Sequence, residues 1–226
     1  MKSILAAFAA TLLAVSSTNA AIVFGNLGAS GTNALDTASQ QISSTTWLAQ
    51  GFTTPASGLL SLDSIVLGLS VNLGGTDTRV QLFSDSGGQP ASSALATVLG
   101  SVSSNTPALY TFTLGTPYLL SPGTTYWIVV SDPDSGDSYN WVFNDAADTP
   151  AAQNGSGYLW PSAGTLRTTD SGSSWVNRSG NTQNEAAFYL NASSPSPVPE
   201  PGTWAAAALL ASGAAYMRWR KRAQVS

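Results

Sequence analysis

The chain has 226 residues, a formal net charge of −4, and charged side chains at only 9% of its positions. Because it contains no cysteine and no histidine, disulfides, thiol nucleophiles and the usual general base or metal ligand near neutral pH are excluded. Residues 21–193 contain three arginines and eleven acidic side chains, a net charge of −8. Phosphate backbones repel such a body, which excludes nucleic-acid binding.

Residues 1–20 have the order of a secretory signal peptide. Lys2 supplies a positive start, an apolar stretch covers residues 4–15, and small residues lead to Ala20. The apolar stretch is shorter than the roughly 20 residues that a membrane-spanning helix needs. The sequence therefore predicts an N-terminal signal helix, cleavage after Ala20 and export, in preference to an uncleaved anchor.

Residues 21–193 show the two-residue period of β-strands. It is clearest at residues 62–72, where Ile65, Leu67 and Leu69 fall on one face of a predicted half-buried strand. Turn-forming Gly, Pro, Asp, Asn and Ser separate this run from other short apolar runs, none long enough for a core helix. The fold predicted is all-β, an antiparallel β-sandwich or jelly roll. The other predicted strands are residues 80–83, 95–98, 110–114, 126–130, 139–143 and 187–190.

Three segments of this body resemble the choice-of-anchor R domain. They are residues 47–52 (WLAQGF), 80–90 (VQLFSDSGGQP) and 126–130 (YWIVV), in that order. The resemblance would cover most of residues 22–192 and implies an extracellular body that is combined with alternative anchoring tails. It implies a location and no particular chemistry.

Acidic side chains in two turns are candidate metal ligands. Asp132, Asp134 and Asp137 crowd one turn, and their carboxylates could gather oxygens around Ca²⁺. The same residue types also suit an ordinary tight turn, because short polar side chains bond to their own backbone. The spacing is not that of an EF-hand. Asp85, followed by Gly87 and Gly88, is predicted to form a hairpin turn.

Aromatic residues are concentrated in the second half of the body. Tyr158, Trp160 and Trp175 lie among Gly, Ser and Asn, and exposed flat rings in such segments can stack on the apolar faces of sugars. These three residues are the candidate glycan platform, although a structural role is the favoured interpretation for the aromatic set as a whole, because buried aromatic residues commonly fill cores and sheets. Trp127 lies in a strongly apolar predicted strand, and a large aromatic residue in such a strand is more typical of a buried core.

Catalysis by carboxylates alone remains an alternative. A glycosidase needs only a pair of Asp or Glu residues on either side of the scissile bond, so the lack of histidine does not exclude one. Most of the acidic residues lie in turn-like segments, however, and no two can be placed across a cleft from the sequence. The prediction is a protein that is not an enzyme and has no catalytic residue.

The C-terminal region has three parts in sequence. Residues 194–202 alternate proline with other residues and predict an extended linker. Residues 203–217 are uncharged and Ala-rich, and they predict a short transmembrane helix. Residues 218–226 begin with a cluster of Arg and Lys, which should remain on the cytoplasmic side while the body faces outward.

This tripartite tail resembles the PEP-CTERM sorting signal, in which Pro199, Glu200 and Pro201 stand at the position of the recognition motif. The resemblance implies that an exosortase, a membrane protease-transferase, removes the helix. The protein would be anchored transiently in the inner membrane and would then reach the cell surface or the extracellular matrix. The expected function is that of a structural protein associated with exopolysaccharide, and the alternative is a carbohydrate-binding module of the same fold.

Overall fold

The computed structural model describes residues 21–27, 35–74, 77–144, 164–178 and 186–194, all within the first of two units of the chain, residues 1–195. The regular elements of these ranges are β-strands. None of the described residues forms a helix with the length and hydropathy that a membrane span requires. The predicted signal helix, and the predicted linker and tail from residue 195 onward, lie outside the described residues.

Twelve strands make up the described part of the chain. Their bounds are β1 (Ala21–Gly25), β2 (Leu35–Ile42), β3 (Trp47–Thr53), β4 (Leu60–Leu73), β5 (Asp77–Asp85), β6 (Pro90–Ser101), β7 (Ala108–Leu120), β8 (Thr125–Ser131), β9 (Ser138–Asn144), β10 (Thr165–Thr168), β11 (Val176–Asn177) and β12 (Phe188–Ser193). The seven predicted strands coincide with β4 to β9 and β12, and the all-β prediction is confirmed.

The strands form two six-stranded sheets in which neighbouring strands run antiparallel. The first sheet has the order β1-β12-β4-β9-β2, with β7 also paired to β4, and the second has the order β11-β10-β3-β8-β5-β6. Many neighbours in these orders are distant in the chain. Two antiparallel sheets with a shared core are consistent with a β-sandwich.

The main core takes alternate side chains from both sheets. Leu67 and Leu69 of β4 belong to the same buried cluster as Leu82 of β5 and Ile128 of β8. Aromatic rings add contacts across the sheets, and the ring centroids of Phe24 in β1 and Phe52 in β3 lie 6.1 Å apart. Apolar burial of this kind is the dominant stabilising contribution in a chain without disulfides.

The middle of β4 is buried on both faces, whereas the sequence predicted a half-buried strand. Val66 is 1% exposed and Ser70 is 5% exposed, although both alternate with the core residues. The reason is close packing around Gly68. A Cβ atom at Gly68 would lie 2.7 Å from Cδ2 of Leu35 and 3.1 Å from Cβ of Ala187. A glycine inside a strand therefore permits a second layer of side chains over β4.

Candidate functional site

The second sheet carries a second apolar cluster on the face that points away from the main core. Leu48, Leu82 and Ile128 point into the core, and adjacent strand residues point to the opposite face. The outward cluster consists of Ala49, Phe83, Trp127, Val129 and Leu166, with Trp47 and Trp175 packed against it and partly buried. The second sheet therefore uses both of its faces for packing.

A groove of about 230 Å³ lies beside this outward cluster. Strand β3 contributes Trp47, β5 and β6 contribute three residues each, and the turn after β10 contributes Trp175 with two further residues. The groove therefore combines two indoles with hydrogen-bonding side chains. The full lining is Trp47, Arg79, Gln81, Phe83, Ala91, Ser92, Ala94, Ser171, Gly172 and Trp175.

The indole of Trp47 is held in place by the turn that precedes it and by the turn after β10. Its Nε1 donates a hydrogen bond to the carbonyl oxygen of Ser44 at 2.9 Å. The backbone N–H of Ser171 donates to the carbonyl oxygen of Thr45 at 3.0 Å, which joins the turn after β10 to the turn before β3. Gly172 has a φ of 87°, and a Cβ there would lie 2.7 Å from Cζ3 of Trp47. Glycine is needed for both reasons.

Arg79 places a cation at the groove. Its Nε donates to Oγ of Ser131 at 2.9 Å, because the two residues are opposite each other in the β5–β8 register. The guanidinium carbon lies 5.3 Å from the centroid of the Trp47 ring, within the range of a cation–π interaction. The charge is therefore fixed next to a ring face.

The turn that precedes Trp175 is closed around the carboxylate of Asp170. The carboxylate accepts hydrogen bonds from the hydroxyls of Ser174 and Thr168 and from the backbone N–H of Ser174, the last at 2.9 Å. These bonds lower the pKa of Asp170 to about 2. Because the folded pKa is depressed, the stabilisation is present above the ordinary carboxyl pKa near 4. It is lost as pH falls toward 2.

The predicted glycan platform is placed only in part. Trp175 is half-buried and lines the groove, whereas Tyr158 and Trp160 lie outside the described residues.

Sequence reasoning missed Trp47 and Arg79, because no local pattern indicates that they meet Trp175. Residues 47–52 carry part of the resemblance to the choice-of-anchor R domain, but that resemblance assigns no role to the indole of Trp47. The prediction that Trp127 belongs to the packed interior is confirmed, since it is 0% exposed.

The acidic turn after β8 contains a buried carboxylate. Asp132 is 1% exposed, and its Oδ1 accepts a hydrogen bond from the backbone N–H of Asp134 at 2.9 Å, as in the predicted turn. Its Oδ2 has no hydrogen-bond partner among the described residues. Burial raises the pKa of Asp132, and the charges of Asp137 and Asp134 raise it further.

The predicted Ca²⁺ ligands do not converge as a cluster. Asp132, Asp134 and Asp137 are all described, and in the described ranges no group of three or more His, Cys, Asp or Glu residues is placed to hold a metal ion. Asp134 is exposed, and Asp137 lies against Gly74, where an added Cβ would collide with its carboxylate. Calcium binding at this turn stays a prediction.

Asp85 closes the hairpin between β5 and β6, as predicted. Its Oδ2 accepts a hydrogen bond from the backbone N–H of Gly88 at 3.2 Å. Its Oδ1 accepts one from Nε1 of Trp127 at 2.8 Å. The carboxylate therefore joins the hairpin to the outward apolar cluster.

In comparisons with known proteins, the chain matches no protein-family model and no curated protein sequence. The two resemblances stated from the sequence stay predictions. Pro199, Glu200 and Pro201, on which the sorting prediction depends, lie outside the described residues.

Proposed function

We propose that the protein is an exported structural protein, without enzymatic activity, that associates with exopolysaccharide and is sorted through its C-terminal tail by an exosortase. The observation that carries this proposal is the order of the tail: a proline-rich linker with Pro199, Glu200 and Pro201, then an apolar segment, then a basic cluster. The signal peptide and the basic cluster agree on one topology, because both place residues 21–193 outside.

The body is suited to that location. Its two sheets share a buried apolar core, and the chain has no cysteine to form a disulfide. Charged side chains are few, and hydroxyl and amide groups maintain solubility. Such a domain can remain folded outside the cell whether the medium is oxidising or reducing.

Tail processing is tested by the intact mass of the protein recovered from cells that contain an exosortase. We expect the wild-type chain to lose residues 203–226, and a variant with Pro199, Glu200 and Pro201 all changed to Ala to keep them and to remain in the membrane fraction. The matched control is Pro195→Ala with Pro197→Ala, which alters the same linker and leaves the motif intact. Mature wild-type protein that still carries Arg222 would contradict the proposal.

A second candidate function, a carbohydrate-binding module, is favoured by the groove on the second sheet. Trp47 and Trp175 offer ring faces, and Gln81 and Ser92 offer hydrogen-bonding groups, a combination that suits stacking on a sugar and bonding to its hydroxyls. Hydrolysis would require a pair of carboxyl groups. The described lining of the groove includes none, and its side chains therefore support binding.

The binding function is tested by affinity electrophoresis in gels that contain purified exopolysaccharide. We expect Trp175→Ala to weaken retention by at least about tenfold, since a buried aromatic anchor carries a large share of binding energy. Val176→Ala is the matched control, because Val176 is the adjacent residue and is 61% exposed. Equal retention of the two variants, or no retention of the wild type on any glycan, would remove this candidate.

A further inference from the structure

The distribution of positive charge sets the groove apart from the rest of the body. Residues 21–193 contain three arginines against eleven acidic side chains, and Arg79 is the arginine that lines the groove. The other two have different surroundings. The guanidinium of Arg178 lies 4.0 Å from the ring centroid of Phe143, and Arg167 is opposite the core residue Leu48 in the β10–β3 register.

Arg79 is bound by the protein through one of its nitrogens. A guanidinium has five N–H donors, and the described residues accept one hydrogen bond from it, at Oγ of Ser131. No ion pair joins Arg79 to a carboxylate among the described residues. The charge of Arg79 lowers the pKa of Asp132 by less than burial raises it. The carboxylate of Asp132 is buried and accepts a hydrogen bond from the backbone N–H of Asp134. The terminal nitrogens of Arg79 therefore keep donors for a ligand.

The position of this cation matters because the groove also offers ring faces. The guanidinium lies 5.3 Å from the centroid of the Trp47 ring, and a second indole, that of Trp175, lines the same groove. A sugar ring that stacks on an indole would bring its substituents near the guanidinium fork. That fork binds a carboxylate in a planar, two-bond arrangement that a neutral hydroxyl cannot reproduce.

We infer that the groove selects anionic polysaccharide, with Arg79 binding the acidic group of a sugar whose ring stacks on Trp175. This inference rests on the proposed glycan binding and adds the class of glycan. A body with a net charge of −8 repels a polyanion at long range. Binding of an acidic glycan therefore requires a local cation, whereas binding of a neutral glycan does not.

The test measures binding of the full chain, in a mild detergent, to polygalacturonate and to its fully methyl-esterified form. The two probes share one backbone and differ in charge. We expect the wild type to bind the acid at least about tenfold more tightly than the ester. Arg79→Gln should keep the wild-type affinity for the ester and should bind the acid no more tightly than the ester, because the net negative charge of the body then repels the acid without a local cation to offset it. Arg79→Lys should keep part of the preference, because it retains the charge and loses the fork.

Two controls separate a specific effect from a general loss of positive charge or of fold. Arg178→Gln removes the same charge outside the groove and should keep the wild-type preference. The melting temperature of Arg79→Gln shows whether the loss of its bond to Ser131 has unfolded the domain. If it has, Arg79→Lys, which keeps a donor near Ser131, gives the comparison with the wild type.

The outcomes distinguish the failure of this inference from the failure of glycan binding. Equal wild-type affinity for the acid and the ester, with loss of both in Trp175→Ala, would overturn anionic selection and leave the binding module in place. A preference for the acid that survives Arg79→Gln would also overturn it. Wild-type binding of neither probe, or binding that Trp175→Ala leaves unchanged, would overturn both.

Discussion

Replacing Trp141 with alanine is expected to destabilise the domain by about 3–5 kcal/mol, the range for removal of a large aromatic side chain from a core. Trp141 is 0% exposed, belongs to the main core cluster, and lies in β9, which pairs with both β4 and β2. Domains of this size have a free energy of unfolding of about 5–15 kcal/mol. The variant should therefore unfold at a far lower urea concentration, as measured by circular dichroism.

Two further variants show which property of Trp141 matters. Trp141→Phe keeps most of the ring and removes the hydrogen bond from Nε1 to the carbonyl oxygen of Ala187, 3.0 Å long. Because that oxygen also accepts a bond from the N–H of Gly68, we expect a loss of only about 1 kcal/mol from the missing bond. Val176→Ala, at an exposed site, should change stability by no more than about 0.5 kcal/mol. Equal midpoints for Trp141→Ala and Val176→Ala would contradict the assignment of the core.

Replacing Asp132 with asparagine is expected to stabilise the domain near neutral pH in metal-free buffer by about 1 kcal/mol, the lower end of the cost of an unsatisfied buried group, because asparagine removes the charge but places an amide nitrogen where Oδ2 has no partner. The asparagine keeps an oxygen to accept the bond from Asp134 and removes the buried charge. Burial raises the pKa of Asp132 in the folded state, so the folded state holds its proton to higher pH than the unfolded state does. Wild-type stability should therefore fall as pH rises from the ordinary carboxyl pKa through the raised one.

The measurement for Asp132 is the melting temperature between about pH 3 and pH 8, with chelator and with millimolar Ca²⁺. With chelator, Asp132→Asn should show a smaller decline toward high pH than the wild type. Asp134→Asn is the matched control, because Asp134 is exposed in the same turn. A Ca²⁺ ion bound to Asp132 would raise the wild-type melting temperature and leave that of Asp132→Asn unchanged. If Asp132→Asn is less stable than the wild type with chelator at every pH in this range, the buried charge does not destabilise the domain.

The strands that the sequence predicted share one property, which is a local run of apolar or β-branched residues with a period of two. Two of the strands that it missed, β2 and β11, lack this signal. Strand β2 (Leu35–Ile42) has the sequence LDTASQQI, with apolar residues mainly at its ends, and β11 is only two residues long. Both are strands because β9 and β10 supply hydrogen-bonding partners. Pairing with a distant neighbour overrides weak local propensity in such segments.

The lengths of β6 (Pro90–Ser101) and β7 (Ala108–Leu120) also exceed the predictions of four and five residues, since these strands have 12 and 13 residues. Much of each strand is exposed, so the polar positions beyond the apolar runs resemble loops in the sequence. The backbone nevertheless continues to pair with β5 and β4. Ladder hydrogen bonds extend a strand past the residues that bury side chains.

By itself, the sequence determined the all-β class, seven of the strands, the hairpin at Asp85 and the turn at Asp132, because short-range propensity and periodicity decide each of these. Tertiary structure alone decided that Trp47, Arg79 and Trp175 meet at one groove. Those residues come from β3, from β5 and from the turn after β10, and non-local pairing brings them together. The register of distant strands depends on how two whole sheets pack, and no local pattern encodes it.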